Sequence, residues 1–416
     1  MKSKAAGKLN YTKLLIISMA YIAVSLSTQG FKAILTLVRA DLGITSAQAG
    51  LYSTFFFLSA TVIAVFSGRV VDSLGSKKSL VIGTFIVGSL MVLHSFAPSL
   101  LILLILAFFT GIGFSIITPA VNKGVMEIAP PQRRASALGI SQAGSGIGGV
   151  LGASLLPILG QLYGWQTAIL IAGIVAVGFS LMLIVLYNPP KVDVKSKAEV
   201  NFKEDMKLLL KNKGLLCVAM MGFLFGFTLA TTTTHLVIFL DQDIGFTPGL
   251  AGIALAIFQM GGIFGKPSWG YINDTILNGN RRKGFLIIGL LSALCTLMMG
   301  SLVPAGYITG LGVYTLVFFF GATSMGIPGL FFTAVGDIVS DKLMGTATGI
   351  SLVFIRVGVI IGPPLFGLIA DINGNYSVSW LFLSVILVAV TLCFYYLSGK
   401  YLPKSTVNNI NVSSSG

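Results

Sequence analysis

The chain has 416 residues, 55% of them hydrophobic and only 10% charged, with a mean hydropathy of +0.92. An average soluble domain carries about 25% charged residues, so water is excluded as the main solvent. The formal net charge of +14 would suit a nucleic-acid partner, but the charges sit where a membrane would put them, and no nucleic-acid role is expected.

Spanning about 30 Å of hydrocarbon takes roughly 20 mostly apolar residues as a helix. Segments of that length recur along the whole sequence and predict membrane helices at 12–37, 48–70, 79–97, 99–122, 135–158, 165–187, 214–240, 249–272, 284–303, 306–332, 344–370 and 377–399. The expected fold class is an all-α membrane protein with twelve transmembrane helices in two pseudo-symmetric six-helix bundles. Barrel strands of about ten residues would alternate in polarity, whereas these runs are apolar on every side. The first segment is too long for a signal-peptide core and no small-residue cleavage site follows it, so it is expected to remain as a helix. Cys217, Cys295 and Cys393 fall inside apolar segments. An odd set buried there predicts packing residues and no disulfide framework.

With the N-terminus inside, 23 of the 27 Lys and Arg fall before or at the start of the first segment, around 69–78, 123–134, 191–213 and 281–283, at 342 and after 399. Only Arg39 falls in an outer loop, and Lys32, Lys266 and Arg356 lie within segments. This is the positive-inside pattern, and it predicts a multi-pass protein of a bacterial-type cell membrane with both termini cytoplasmic. The long polar stretch 188–213 opens with Pro189-Pro190 and reads as a cytoplasmic linker. It separates an N-terminal bundle, 1–187, from a C-terminal bundle, 214–399, with a cytoplasmic tail at 400–416.

The two halves repeat each other. A shift of 202 residues lays Asp41-Leu42-Gly43 on Asp243-Ile244-Gly245, Thr45 on Thr247, Ala49-Gly50 on Ala251-Gly252, Gly68 on Gly270 and Asp72 on Asp274. A two-residue insertion then brings Gly75, Lys77 and Lys78 onto Gly279, Arg281 and Arg282. Such a parallel repeat predicts two similar bundles facing each other across a cavity near mid-membrane.

Between the second and third segments stands Gly68-Arg69-Val70-Val71-Asp72-Ser73-Leu74-Gly75-Ser76-Lys77-Lys78, of the form GxxxDxxGxKK. Its glycines suit close helix approach and a tight turn, and Asp72 suits a cationic partner. With its echo at 270–283 and the six-plus-six layout, the chain resembles the major facilitator superfamily over nearly its whole length. The resemblance implies that Gly68, Asp72, Gly75, Lys77 and Lys78, with Asp274, Arg281 and Arg282, form a conformational gate at the cytoplasmic face. The plainer reading is that Lys77 and Lys78 obey the charge rule alone. The fifth segment carries Gly139, Gly144, Gly146, Gly148, Gly149 and Gly152, a spacing that predicts tight helix packing. It is similar to the glycine-rich motif of drug antiporters, but Ser145 stands where their proline would be, and Ala107 stands where many proton-coupled members have an arginine.

Charged side chains at bilayer depth cost about 2.5–3.5 kcal/mol on insertion scales, so each is a functional candidate. None of the thirteen Asp and Glu falls at mid-segment, which leaves organic cations and carboxylate proton relays without an evident partner. Arg356 falls about twelve residues into the eleventh segment, roughly 18 Å deep at 1.5 Å per residue. It reads as a fork for a substrate carboxylate or as a structural cap near Pro363-Pro364. Oxalate-formate exchangers of the superfamily place a basic residue on this helix, although their second one, on helix 8, is matched here by neutral Gln259. Lys32 is similar in placement to the first-helix lysine of monocarboxylate transporters, or else snorkels to the outer interface. The Asp-Arg pair of those transporters is absent. His235 reads as a proton-sensitive ligand or as an ordinary hydrogen-bonded histidine. Tyr21, Gln29, Asn122, Gln142 and Tyr314 are further cavity candidates, and Lys266 is expected to be structural.

The sequence therefore predicts a monomeric secondary transporter of small organic anions, carboxylates foremost, working as proton symporter or anion exchanger. No nucleotide-binding GxxxxGK[ST] loop is present to supply energy otherwise. No catalytic or metal-binding constellation occurs, so neither an enzyme nor a cofactor is expected. The rival reading is efflux of amphipathic drugs by proton antiport.

Overall fold

In lipid a backbone must close its hydrogen bonds within the segment, which leaves each apolar run only the helix. The computed structural model describes residues 10–130, 133–189, 206, 208–339 and 343–401, and among them there is no strand. Most of the expected linker and the tail beyond Tyr401 lie outside the described residues. Among the described residues twelve helical stretches are long and apolar enough to cross a membrane.

The helices in chain order are α1 (Tyr11–Ala33), the short α2 (Leu35–Leu42), α3 (Ser46–His94), α4 (Leu100–Ile128), α5 (Arg134–Tyr163) and α6 (Trp165–Leu186). After the expected linker come α7 (Lys213–Gln242), α8 (Pro248–Tyr271) with a π turn at Ile272–Ile276, α9 (Arg281–Ser301), α10 (Leu311–Ser324), α11 (Pro328–Gly336), α12 (Met344–Asn373) and α13 (Ser377–Tyr401). The second and third expected segments run on as α3, bent at Gly75, whose φ of 80° and ψ of 163° leave the helical region. A positive φ suits glycine, so the turn expected there is present. The first and tenth segments are each broken. Ile34, with ψ near 3°, separates α1 from α2. Pro328 opens α11, because a residue without an N–H cannot continue the hydrogen-bond ladder of α10.

Helix starts are capped locally. Asn10 accepts from the Lys13 amide, Asn212 from the Leu215 amide and Asn280 from the Lys283 amide. Thr45 and Gln48 form a reciprocal capping box at the head of α3.

The chain divides into two compact units, Met1–Ser196 with Phe246–Ala256, and Lys197–Gly245 with Ile257–Gly416. In the first, α5 lies against α1 along three glycines four residues apart. A Cβ on Gly144, Gly148 or Gly152 would strike the carbonyl oxygen of Ser18, Ile22 or Leu26 respectively. In the second, Gly358 and Gly362 of α12 meet the carbonyls of Phe223 and Phe227 on α7 in the same way. Gly111 against the Phe56 carbonyl is likewise repeated by Gly321 against that of Phe258. The internal repeat therefore extends to the backbone contacts inside each unit. Polar contacts follow it too. The Asp41 carboxylate accepts from Trp165 and Gln166 at the head of α6, and Asp243 accepts from the Tyr376 amide beside the head of α13.

Three expectations need correction. A Cβ on Gly68, Gly139 or Gly270 would meet nothing within 4 Å, so these glycines make no close approach among the described residues; their faces of the helix look away from a neighbour. Cys217 and Cys295 are buried, but Cys393 is exposed and does not pack in the core. It sits on a face of α13 that the other described residues leave uncovered.

Candidate functional site

In the first unit, α1 carries Tyr21, Ser25, Gln29 and Lys32 at spacings of four, four and three, which puts them on one face. The Tyr21 hydroxyl pairs with that of Thr118 on α4 at 3.0 Å, and Ser25 with Ser145 on α5 at 3.0 Å. Gln142 of α5 donates to Asn122 of α4 at 3.1 Å. Tyr21, Asn122 and Gln142 thus become hydrogen-bonding links between α1, α4 and α5, while Gln29 is half-buried beside them.

Lys32 stands apart from these amides and hydroxyls. It is only 4% exposed, and its Nζ lies 4.7 Å from the centre of the Phe57 ring of α3. Among the described residues no hydrogen bond or ion pair reaches its ammonium group. The snorkelling alternative is therefore overturned. Lys32 does sit at the end of α1, but the chain turns at once into α2, so that end is not a free rim facing water.

The residue before it, Phe31, leads to a histidine that carried no signal in the sequence. His94, at the end of α3, is fully buried with its Nδ1 2.7 Å from the Leu90 carbonyl oxygen and its Nε2 3.2 Å from the Tyr52 hydroxyl. A carbonyl can only accept, so Nδ1 carries the proton and Nε2 accepts from Tyr52. Phe31, which precedes Lys32, stacks on Tyr52 at 4.4 Å and meets His94 edge-on at 5.0 Å.

In the second unit His235 is held in a matching way. Its Nε2 donates to the Pro363 carbonyl at 2.8 Å and its Nδ1 faces the Tyr376 hydroxyl at 3.2 Å. The ring is fully buried and bridges α7 to α12 and to the head of α13. Arg356 is half-buried on α12, next to Ile355, whose side chain fills the space beside Gly222 and Gly226 of α7. Gln259 is buried on α8, Tyr314 is half-buried on α10, and Lys266 is exposed on α8.

The motif residues form two charged clusters, one in each unit. Asp72 pairs with Lys123 of α4 at 3.1 Å, and the same Nζ reaches the Val71 and Asp72 carbonyls, closing the first half of α3 before its bend. Ser76, just past the bend, donates to Glu127 and faces the Tyr187 hydroxyl at 3.3 Å. Burial pushes the Tyr187 phenol up to about 12, and the Glu127 carboxylate pushes the same way against the Ser76 bond. Lys77 donates to Asn188 at 2.7 Å, and Lys78 is exposed. In the second unit Arg281 bridges Asp274 at 2.7 Å and Asp337 at 3.2 Å. Arg282 donates to the Tyr395 carbonyl and lies 3.9 Å over the Tyr395 ring.

The description "Major Facilitator Superfamily" matches residues 17–350 and, in a second overlapping match, 218–411. The chain belongs to the major facilitator superfamily. This member is 24% identical over 364 residues to the "Probable sulfoacetate transporter SauU" of Cupriavidus necator, covering 83% of this chain and 84% of that one. It is also 24% identical over 359 residues to the hexuronate transporter of Bacillus subtilis, with the same coverage of 83% and 84%. Its fold is shared with a bacterial homolog of the human lysosomal transporter Spinster, solved in an inward-facing and unoccupied conformation. That likeness has a TM-score of 0.80 at 17% identity over 95% of this chain and 98% of the other. Twelve apolar helices and this membership make the protein a multi-pass membrane transporter and not an enzyme.

Proposed function

We propose that this transporter moves small organic anions, carboxylates foremost, by alternating access, as a proton symporter or an anion exchanger. The observation that carries the reading is Lys32, a cation enclosed in an apolar unit with only an aromatic ring at its tip. A buried charge is costly to keep, and an arriving anion is the natural group to offset it. Arg356 adds a second cation in the other unit, and its planar fork suits a carboxylate or sulfonate. The names of the two relatives above, a sulfoacetate and a hexuronate transporter, support the same class.

In this reading Asp72 with Lys123, and Arg281 with Asp274 and Asp337, act on the conformational cycle and not on the substrate. Both termini face the cytoplasm, as the distribution of Lys and Arg supports. Thermal unfolding of the purified protein with sulfoacetate, D-glucuronate, neutral D-glucose and the cation ethidium tests the class. A binding anion present at 100 times its dissociation constant stabilises by about 2.7 kcal/mol. Stabilisation by ethidium and by neither anion would transfer the weight to drug efflux.

A further inference from the structure

We propose that His94 is the site that takes up the co-transported proton, paired with Tyr52 and coupled to the anion held by Lys32. The inference rests on the anion reading above and assigns its coupling ion to one atom, Nε2 of His94.

The chemistry follows from what surrounds that ring. Nδ1–H is committed to the Leu90 carbonyl, so the open lone pair is on Nε2, where the Tyr52 hydroxyl now donates. Protonation takes a proton from outside water and places it on that lone pair. The Tyr52 hydroxyl then turns, so that its oxygen accepts from the new N–H. The pair stays hydrogen-bonded in both states, as a reversible proton site requires, and release returns the proton to water on the other side.

The neighbouring charges make such an event depend on the anion. Across α3 to α6 every Asp, Glu, Lys and Arg lies near the Gly75 end: Arg69, Asp72, Lys77 and Lys78 on α3, Lys123 and Glu127 on α4, Arg134 on α5, and none on α6. At the His94 end, α1 brings Lys32 and α2 brings Arg39, which donates to the Ile44 carbonyl, and Asp41, whose carboxylate is taken by Trp165 and Gln166. The first half of α3 brings only Tyr52. With Lys32 charged and no anion present, a second buried cation on His94 is disfavoured. An anion at Lys32 removes that penalty, and by linkage the proton then favours the anion by the same factor. This mutual dependence is symport. His235 is tied in the same manner to Pro363 and Tyr376, but it lies in the unit that does not hold Lys32.

The test uses the full chain in liposomes with radiolabelled sulfoacetate and D-glucuronate. The wild type is expected to exchange at least one of them in counterflow, and to accumulate it when the outside is made acid. His94→Gln leaves an acceptor for the Tyr52 hydroxyl but no titrating group. It is expected to keep counterflow within about threefold of wild type, to lose accumulation against a gradient, and to take up no proton on binding the anion, where the wild type takes up one. Accumulation by His94→Gln, or anion binding by the wild type without proton uptake, would overturn the proton site and leave the anion reading intact. Failure of the wild type to bind or exchange either anion would remove the anion reading and this inference with it. If His94→Gln gives no monodisperse protein, Tyr52→Phe serves instead. Tyr52→Phe removes a neutral hydrogen bond from the free ring but a stronger, charge-assisted one from the protonated ring, so the pH of half-maximal accumulation is expected to fall by about one unit; an unmoved profile overturns the pairing.

Discussion

Replacing Lys32 by methionine keeps the length of the side chain and removes its charge. In the structure that charge has one visible compensation, the Phe57 ring 4.7 Å from Nζ, and a desolvated cation–π contact is worth about 2 kcal/mol. Against this stands a desolvation penalty of several kcal/mol for a buried ion. The difference says that Lys32→Met should make the anion-free protein more stable, by about 1–3 kcal/mol. The same change removes a charge-assisted contact to the substrate, worth about 1.5–3 kcal/mol, so anion affinity should fall by about 10- to 150-fold. Thermal unfolding in detergent, followed by intrinsic fluorescence, reads the first quantity. Titration with sulfoacetate or D-glucuronate reads the second. Stability gained while binding is lost is the signature of a charge kept for function. A Lys32→Met protein that is less stable than wild type yet binds the anion as well would refute the reasoning, because Lys32 would then be a structural residue.

Arg356→Lys keeps charge and loses the fork, and it is expected to weaken anion binding about tenfold, while Arg356→Gln loses nearly all transport in a protein that still elutes as one peak. Full transport by the glutamine variant would remove Arg356 from substrate recognition. Gly148→Val sets a side chain against the Ile22 carbonyl and should destabilise by about 1–3 kcal/mol, whereas Gly139→Ala faces open space and should not destabilise; equal losses in thermal unfolding would contradict the α1–α5 packing. Asp72→Asn is expected to slow exchange more than it weakens binding, since it disturbs the Lys123 contact, and a collapse of affinity with exchange rate preserved would disprove a gating role. In a background without native cysteines, Ser73→Cys should react with a membrane-impermeant maleimide only from the cytoplasmic side and Gln242→Cys only from outside; the opposite pattern reverses the orientation.

The membrane helices were legible in the sequence because lipid leaves an apolar run of roughly 20 residues a single way to satisfy its backbone. The internal repeat was legible as well, since Asp41-Leu42-Gly43 and Asp243-Ile244-Gly245 sit in equivalent turns, with Gly43 and Gly245 both at positive φ. The GxxxDxxGxKK spacing was enough to point to the family. It was not enough to name the partner of Asp72, because Lys123 lies 51 residues further on.

What the tertiary structure decided is which of these residues meet. The glycines of α5 look alike in sequence, yet Gly148 and Gly152 touch the α1 backbone while Gly139 faces nothing, since a helix presents only one face to a neighbour. A lysine near a helix end could have snorkelled, until the break at Ile34 and the ring of Phe57 enclosed it. His94 was one polar residue at the end of an apolar run, without periodicity or motif to mark it. Only folding brings Tyr52, 42 residues earlier, within hydrogen-bond reach. Composition and spacing report what a chain must bury, while the chemistry of a buried pair arises from residues far apart in sequence whose helices happen to pack side by side.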